Sequence, residues 1–225
     1  MCGRYSLTTP PEAMRDLFGV ETLLNMPARY NIAPTQTAPV VRRRADDGDR
    51  EMATMRWGLI PSWAKDMTMA ARMINARSET VAEKPSFRRA YRQRRCLVPS
   101  DGFYEWQKTD DGKQPWRICM RDRGLFAFAG LYETWTGPDG SVDSYTILTT
   151  VANRTLIPVH PRMPVILQPT AYAAWLGEED TDLSALLTPY PDAELDAYRI
   201  GKRVGNVRND DAGVLEPMEE VARLL

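Results

Sequence analysis

Four residues of the 225-residue chain carry side chains suited to covalent and proton-transfer chemistry: Cys2, Asn75, Glu105 and His160. A methionine before a small second residue is commonly removed, and its removal would leave an α-amine and a thiol together on Cys2. Reference pKa values of about 7.7–8.0 for the amine and about 8.5 for the thiol make both groups partly reactive near neutral pH. Such a 1,2-aminothiol condenses with an aldehyde and closes to a thiazolidine, or acts as an N-terminal nucleophile on an acyl group. The alternative is a frayed terminus in which the cysteine is incidental.

The other three candidates each allow a functional and a structural interpretation. His160 is the only histidine of the chain, and histidine titrates near neutral pH, yet a lone histidine is commonly a packed or surface residue. Glu105 lies in an aromatic stretch, where flanking rings predict a raised carboxyl pKa suited to proton transfer; a solvated strand face is the alternative. Asn75 could orient a substrate hydroxyl or cap a turn.

The rest of the composition excludes several classes of site. Three cysteines without a CxxC pair and one histidine cannot supply the about four ligands of a conventional zinc site. No nucleotide-binding loop or nucleophile elbow is present, so we expect neither a metal nor a cofactor. An odd cysteine count, no apolar leader and no apolar run of about 20 residues predict a protein of the reducing cytoplasm without a membrane span.

Charge is distributed unevenly along the sequence. Residues 1–130 hold 22 basic and 15 acidic residues, a net charge of +7, whereas residues 131–225 hold 7 and 15, a net charge of −8. The segment 84–95 contributes six cations and no acid, and 24 of the 29 cations in the chain are arginine. Arginine binds phosphate bidentately and stacks on bases, so an anionic polymer is one interpretation of this segment and a solvated helix face is the other.

Hydrophobic patterning and turn residues predict the elements that must position these groups. A capped helix is predicted over 12–18 and ended by Gly19, and the segment 30–35 is predicted to be a turn or loop. Strands are predicted over 38–43, 51–57, 95–99, 102–108, 115–120, 125–132, 144–151 and 163–167, with further helices over 170–176, 181–187 and 216–225. This pattern indicates an α+β fold: a curled, mostly antiparallel β-sheet or barrel core with peripheral short helices. Without a repeat or linker, residues 1–225 are predicted to form a single domain.

Nine ordered sequence blocks resemble those of one known family. They are Met1-Cys2-Gly3-Arg4-Tyr5, Tyr30-Asn31-Ile32-Ala33-Pro34, Trp57-Gly58-Leu59-Ile60-Pro61, Ile74-Asn75-Ala76-Arg77-Ser78-Glu79-Thr80, Arg95-Cys96-Leu97-Val98-Pro99, Asp101-Gly102-Phe103-Tyr104-Glu105-Trp106, Thr149-Thr150-Val151-Ala152-Asn153, His160-Pro161-Arg162-Met163-Pro164 and Val204-Gly205-Asn206-Val207. In this order and over nearly the whole chain, they make the sequence resemble the SOS response-associated peptidase (SRAP) family, whose members include sensors of abasic sites in single-stranded DNA. The resemblance implies the SRAP fold.

The family's catalytic residues correspond to Cys2, Asn75, Glu105 and His160. The resemblance implies that the Cys2 amine and thiol capture the aldehyde of a ring-opened abasic sugar as a covalent thiazolidine. His160 would help to open the sugar, and Glu105 would protonate the leaving oxygen and, in reverse, help to release the DNA. Asn75 would hold Cys2 or the sugar in position. Exposure of Cys2 would require removal of Met1, and weak abasic-site lyase activity would accompany capture.

A DNA-binding channel is implied by the same resemblance. Its arginines would contact phosphates, one tryptophan would stack on a flanking base, and a wedge of proline and tryptophan would limit base pairing beside the lesion. The residues expected there are Gly3, Arg4, Asn31, Pro34, Trp63, Arg77, Trp106, Thr149 and Arg162. The expected partner is single-stranded DNA with abasic sites, bound by a monomer without metal, cofactor or membrane attachment, in the cytoplasm and associated with the nucleoid when bound to DNA.

Two positions depart from the family's pattern. Pro161 stands where an acidic residue is common and restricts His160 to extended backbone angles, which bears on the orientation of its ring. Ser100 stands where alanine is common.

Two other functions stay open at the level of sequence. The same four residues could serve an N-terminal-nucleophile-type thiol peptidase or amidase, whose natural substrate could be the chain's own Met1–Cys2 bond. A non-enzymatic module for single-stranded DNA, with an inert Cys2, is the third interpretation. The arginine excess in residues 1–130 favours DNA over a peptide substrate.

Overall fold

The computed structural model of the chain describes residues 2–22 and 24–218. Its strands are β1 (Tyr5–Leu7), β2 (Arg29–Ile32), β3 (Thr37–Arg43), β4 (Arg50–Trp57), β5 (Asn75–Arg77), β6 (Arg95–Ser100), β7 (Gly102–Thr109), β8 (Gly112–Met120), β9 (Phe126–Gly137), β10 (Gly140–Val151), β11 (Arg162–Pro164), β12 (Ile166–Leu167) and β13 (Leu195–Arg199). The helices are α1 (Pro11–Phe18), α2 (Arg88–Gln93) and α3 (Tyr172–Leu176), with short 3-10 helices at Met67–Arg72, Pro169–Ala171, Leu183–Leu186, Asp192–Glu194, Lys202–Gly205 and Ala212–Val214. None of the helices described is long and apolar enough to cross a membrane.

Five strands form a closed barrel. Along the ring, β10 pairs with β4, β4 with β3, β3 with β6 and β6 with β9, and β9 pairs back with β10. The β10–β4 pair is parallel and the other four are antiparallel. The C-terminal part of β10 continues past this ring, where it pairs with β5 on one side and β11 on the other. This extension supports two of the segments that carry candidate site residues.

A second, fully antiparallel sheet has the strand order β13-β8-β7-β1-β2 and packs against the barrel. The ring of Tyr5 on β1 lies with its centroid 5.2 Å from that of Trp57 and 5.9 Å from that of Phe128, both on barrel strands. The buried polar atoms of this cluster are satisfied, because the Tyr5 and Tyr145 hydroxyls lie 2.7 Å apart and the Trp57 indole donates to the Ile74 carbonyl. The apolar core therefore fixes the two sheets against each other.

The predicted fold class is confirmed, since the structure has a mostly antiparallel barrel core with a few short helices. The helix α1 is present and ends at Gly19 with a φ of 65°, but its N-terminus has no side-chain cap. Thr8 and Thr9 instead donate their hydroxyls to the carboxylate of Asp101.

Two local predictions are wrong. The segment expected to be a loop from residue 30 begins as strand β2, because β1 and the Asp210 carboxylate satisfy its backbone N–H groups from opposite sides. The helix expected over 181–187 is one 3-10 turn, Leu183–Leu186. Most of the helix expected over 216–225 and the state of Met1 lie outside the described residues, and the single-domain prediction for residues 1–225 remains a prediction.

Gly58 ends β4 and allows the chain to leave the barrel. Its φ is +114°, and an added Cβ would lie 2.6 Å from the backbone oxygen of Ala70. A strained backbone conformation costs about 1–3 kcal/mol. We expect Gly58→Ala to lower the free energy of unfolding by at least this amount. Thermal unfolding measures this as a Tm loss of about 2–4 °C per kcal/mol in a chain of this size.

Gly201→Ala is the matched control for that substitution, because Gly201 has a φ of −65° and no atom within 4 Å of an added Cβ. An equal loss of Tm in both variants would contradict the account of Gly58.

Candidate active site

The four residues with candidate chemistry come from four different segments. Cys2 precedes β1, Asn75 begins β5, Glu105 lies on β7 and His160 lies two residues before β11. They meet because β1 pairs with β7 while the extension of β10 holds β5 on one of its edges and β11 on the other.

Glu105 is buried to 2% exposure, and burial raises the pKa of its carboxyl group. The charge of the nearby His160 offsets part of this effect. On β7, Phe103 and Glu105 face the main core with Trp116 opposite Glu105, whereas Tyr104 and Trp106 pack in a separate cluster. The alternation expected from the sequence is therefore present. Because its pKa is raised, the carboxyl group of Glu105 keeps its proton to higher pH than an exposed glutamate does.

Cys2 is fully buried. Its thiol donates to the carbonyl oxygen of Arg4, with an S···O distance of 3.8 Å. Burial raises the pKa of the thiol far above its usual value, and the negative charge of Glu105 is the second cause of this increase. The sulfur is therefore a protonated thiol at neutral pH, so it needs a base before it can react as a nucleophile.

His160 faces Glu105, with 4.0 Å between Nδ1 and Glu105 Oε1. The same Nδ1 lies 3.0 Å from the backbone N–H of Arg162 and 3.1 Å from its carbonyl oxygen. An unprotonated Nδ1 can accept a hydrogen bond from this N–H, and a protonated Nδ1 can donate one to this carbonyl oxygen. Nδ1 therefore has a hydrogen-bond partner in either state. This arrangement suits a side chain that gains and loses a proton without reorientation.

Asn75 is bound directly to the segment of Cys2. Its Nδ2 donates to the Cys2 carbonyl oxygen at 2.8 Å. Its Oδ1 is buried and accepts no hydrogen bond from the described residues. An unsatisfied buried acceptor is costly, so this oxygen is suited to an amine or hydroxyl donor that enters the site.

Of the arginines expected to contact phosphates, two already have protein partners. Arg162 pairs with the Glu79 carboxylate and donates to both oxygens of Thr149. Arg4 donates to the Val204 and Gly205 carbonyl oxygens and to the side chain of Asn31. Phosphate binding by Arg162 must therefore compete with a carboxylate.

Arg77 differs from these two because it is exposed, and no described residue forms a hydrogen bond or an ion pair with its guanidinium group. Asn31 is fully buried, and its Nδ2 lies within hydrogen-bond distance of the backbone oxygens of Val204, Asn206 and Asn209. The structure thus gives Asn31 an anchoring role, and its contact with DNA stays a prediction.

The remaining expected DNA contacts differ in accessibility. Trp63 is 58% exposed, Gly3, Pro34 and Trp106 are half-buried, and Thr149 is buried. Glu79 was not singled out by the sequence, because nothing in its spacing from Arg162 indicates that the two side chains pair. Within residues 2–22 and 24–218, no group of three or more His, Cys, Asp or Glu residues is arranged to hold a metal ion.

The raised pKa of Glu105 makes stability depend on pH. The protonated carboxyl stabilises the fold below the unfolded-state pKa of about 4.3, and this contribution is lost as pH rises through the folded-state pKa. We expect Glu105→Gln to have a higher Tm than the unchanged protein at pH 7–8 and the same Tm below pH about 4. Thermal unfolding across this pH range measures the difference.

Glu79→Gln is the control of opposite sign, because the bond from Arg162 lowers the pKa of Glu79. It should leave Tm unchanged or slightly lower at neutral pH, given the exposure of Glu79. A Tm for Glu105→Gln that is lower at pH 8 than that of the unchanged protein would show that ionised Glu105 stabilises the fold.

Comparison with known proteins identifies the family. Residues 1–207 match the family described as SOS response associated peptidase (SRAP). The chain is 39% identical over 224 residues to the abasic site processing protein YoqW of Bacillus subtilis, covering 96% of this chain and 99% of that protein, and 31% identical to the abasic site processing protein HMCES of Xenopus tropicalis, covering 93% and 76%. A crystal structure of a protein from Bacteroides thetaiotaomicron superposes with a TM-score of 0.86 at 26% identity, covering 96% of this chain and 100% of that one. The chain therefore belongs to the SRAP family.

Proposed function

We propose that this protein processes abasic sites in DNA by forming a covalent bond between Cys2 and the opened sugar. Relatives that match nearly the whole chain carry the name abasic site processing protein. The observation that carries the chemistry is the cluster in which Cys2, Asn75, Glu105 and His160 meet. The proposal requires removal of Met1, since an acylated Cys2 nitrogen cannot condense with an aldehyde.

The proposed reaction loses one water and needs no external oxidant or reductant. His160 transfers a proton as the sugar ring opens and its C1′ aldehyde forms. The Cys2 amine adds to C1′, and the resulting hydroxyl leaves as water to give an imine. The Cys2 sulfur then adds to C1′, and the thiol proton is replaced by a proton on the ring nitrogen of the thiazolidine. The imine also permits β-elimination, so slow strand cleavage is expected as a side reaction.

Glu105 is suited to both proton transfers of this sequence. Its raised pKa keeps a protonated fraction available to convert the leaving hydroxyl to water. The carboxylate that results is the base that the protonated Cys2 thiol requires. Run in reverse, the same steps release the DNA.

Asn75 holds the reacting groups in position. The bond from Asn75 Nδ2 to the Cys2 carbonyl oxygen fixes the residue that carries both nucleophiles. We assign the unsatisfied Asn75 Oδ1 to the Cys2 amine or to a sugar hydroxyl. Positioning of this kind supplies several kcal/mol of the barrier reduction, about 7–11 kcal/mol in well-oriented systems.

The DNA strand is proposed to pass Arg4, Arg77 and Arg162, which lie on the segments that carry the catalytic residues. Trp106 follows Glu105 and would stack on a base beside the lesion. Pro34 and Trp63 would limit base pairing on one side of it, while Gly3 and Thr149 would contact the sugar-phosphate backbone. Contacts to phosphates and base faces carry little sequence information, so selectivity should come from the aldehyde and from single-strandedness.

Cys2→Ala should abolish a heat-stable crosslink to single-stranded DNA with one abasic site and leave DNA binding intact, because the substitution removes the sulfur only. Denaturing gel electrophoresis measures the crosslink, using protein whose free Cys2 amine has been verified by mass spectrometry. Cys119→Ala is the matched control, since Cys119 is also buried but packs in the separate cluster around Tyr104.

An undamaged oligonucleotide should give no shift with any variant. A crosslink that persists in Cys2→Ala would place the reactive group elsewhere. If the verified protein forms no crosslink, the proposal fails and the thiol peptidase becomes the better account.

Arg77→Gln should weaken binding to single-stranded DNA of every sequence and reduce the slope of log K against log salt by about 0.7, the value for one phosphate contact. Fluorescence anisotropy at several salt concentrations measures both quantities. Arg121→Gln, at an exposed arginine of the β8–β9 turn, should change neither quantity. Equal effects of the two variants would remove Arg77 from the proposed strand path.

A further inference from the structure

The strand that carries Glu105 also carries Gln107, whose amide joins this strand to the segment of His160. Across the β7–β8 pair, Trp116 lies opposite Glu105 and Gln114 lies opposite Gln107, so these side chains share one face. The buried Trp116 indole donates from Nε1 to Gln107 Oε1 at 3.0 Å. Gln107 Nε2 donates to the carbonyl oxygen of Pro158 at 3.0 Å.

The orientation of the Gln107 amide follows from chemistry. An indole N–H can only donate, so it must face the amide oxygen, and a carbonyl oxygen can only accept, so it must face the amide NH₂. Both partners thus demand the same orientation of Gln107. The amide oxygen thus accepts from the core residue Trp116, and the amide NH₂ donates to the carbonyl oxygen of Pro158.

Pro158 belongs to a compact turn that ends at His160. The backbone N–H groups of Val159 and His160 both donate to the Leu156 carbonyl oxygen, at 2.8 and 2.9 Å. The start of the turn is held by Asn153, which donates to the Tyr190 carbonyl oxygen. Because the turn is hydrogen-bonded within itself, a displacement at Pro158 must be transmitted to His160.

We propose that Gln107 is a positioning residue that sets the distance between Glu105 and His160 through its hydrogen bond to Pro158. Glu105 and Gln107 lie two residues apart on one rigid strand, so this bond fixes the His160 turn against the strand that carries Glu105. The effect of Gln107 on catalysis rests on the proposed function. Its effect on the position of His160 is independent of that function.

A pH effect follows from this geometry. Among the described residues, the ionisable groups that face Glu105 are the Cys2 thiol and the imidazole of His160. His160 lowers the pKa of Glu105, so a His160 that moves away leaves that pKa higher. Loss of the Gln107 bond should therefore move the part of the pH profile that Glu105 governs to higher pH.

Two substitutions separate the two hydrogen bonds of Gln107. Gln107→Met keeps the length of the side chain and removes both bonds. Gln107→Lys keeps a donor for Pro158 and loses the acceptor for Trp116. Gln114→Met and Gln114→Lys are the matched controls, because Gln114 lies directly opposite on β8. Among the described residues, its Nε2 lies within hydrogen-bond distance of the carbonyl oxygens of Pro115 and Ile200 and the sulfur of Met218, none of which belongs to the His160 turn.

The first readout is the imidazole signal in the proton NMR spectrum, which is unique because the chain has one histidine. Gln107→Met should shift this signal, whereas Gln107→Lys and both Gln114 variants should leave it near its original position. An unshifted signal in Gln107→Met, or an equal shift in Gln107→Met and Gln107→Lys, would overturn the proposal. An equal shift would mean that the contact of Gln107 with Trp116, and not its bond to Pro158, positions the His160 ring.

The second readout is the pH profile of crosslinking to abasic single-stranded DNA. Gln107→Met should slow crosslinking by about 10- to 100-fold, the range of a displacement of up to about 1 Å, and shift the profile to higher pH. Gln107→Lys should recover the rate to within a few-fold of the unchanged protein. If the unchanged protein does not crosslink, the proposed function fails while the NMR result still decides the role of Gln107. If it crosslinks and Gln107→Met retains both rate and profile, the positioning role fails alone.

Discussion

The burial of the Glu105 carboxyl group is the constraint on which the site depends. A buried carboxylate is costly, and burial therefore raises the pKa of Glu105, so that its carboxyl group keeps a proton to higher pH than an exposed one. The same burial, together with the charge of Glu105, holds the Cys2 sulfur as a thiol. In the proposed reaction, Glu105 therefore supplies a proton first and later accepts the proton of the Cys2 thiol. This coupling favours a reaction that the Cys2 amine begins and the sulfur completes.

The scaffold makes this costly arrangement possible. The barrel closes through the β9–β10 pair, and β10 then extends beyond the ring to hold β5 and β11, which bring Asn75 and His160 to the site. The aromatic cluster of Tyr5, Trp57 and Tyr145 lies between the sheets and fixes β1, and with it Cys2, against the barrel. Asn75 and Glu105 thus lie on strands, and Cys2 and His160 lie within three residues of strands, whose positions are set by the core.

The sequence predicted most barrel strands because β-like apolar runs are separated by polar turns, as in 38–43 and 51–57 around the turn 45–49. It missed β5, because three residues carry no periodic pattern and the strand exists only through its pairing with β10. The site residues were expected from residue types and from family resemblance. The sequence did not predict that Arg162 pairs with Glu79 or that the Asn31 amide is fully hydrogen-bonded, because contacts between segments distant in sequence depend on the assembled fold.

The central claim is that the amine and the thiol of Cys2 both bond to C1′ of an abasic sugar. Intact-mass measurement of the product, followed by fragmentation of its N-terminal peptide, tests this most directly. The account predicts the mass of protein lacking Met1 plus DNA minus one water, located on Cys2 and resistant to heat without chemical reduction. An adduct located on another residue, or one on Cys2 that survives only after reduction of an imine, would contradict it.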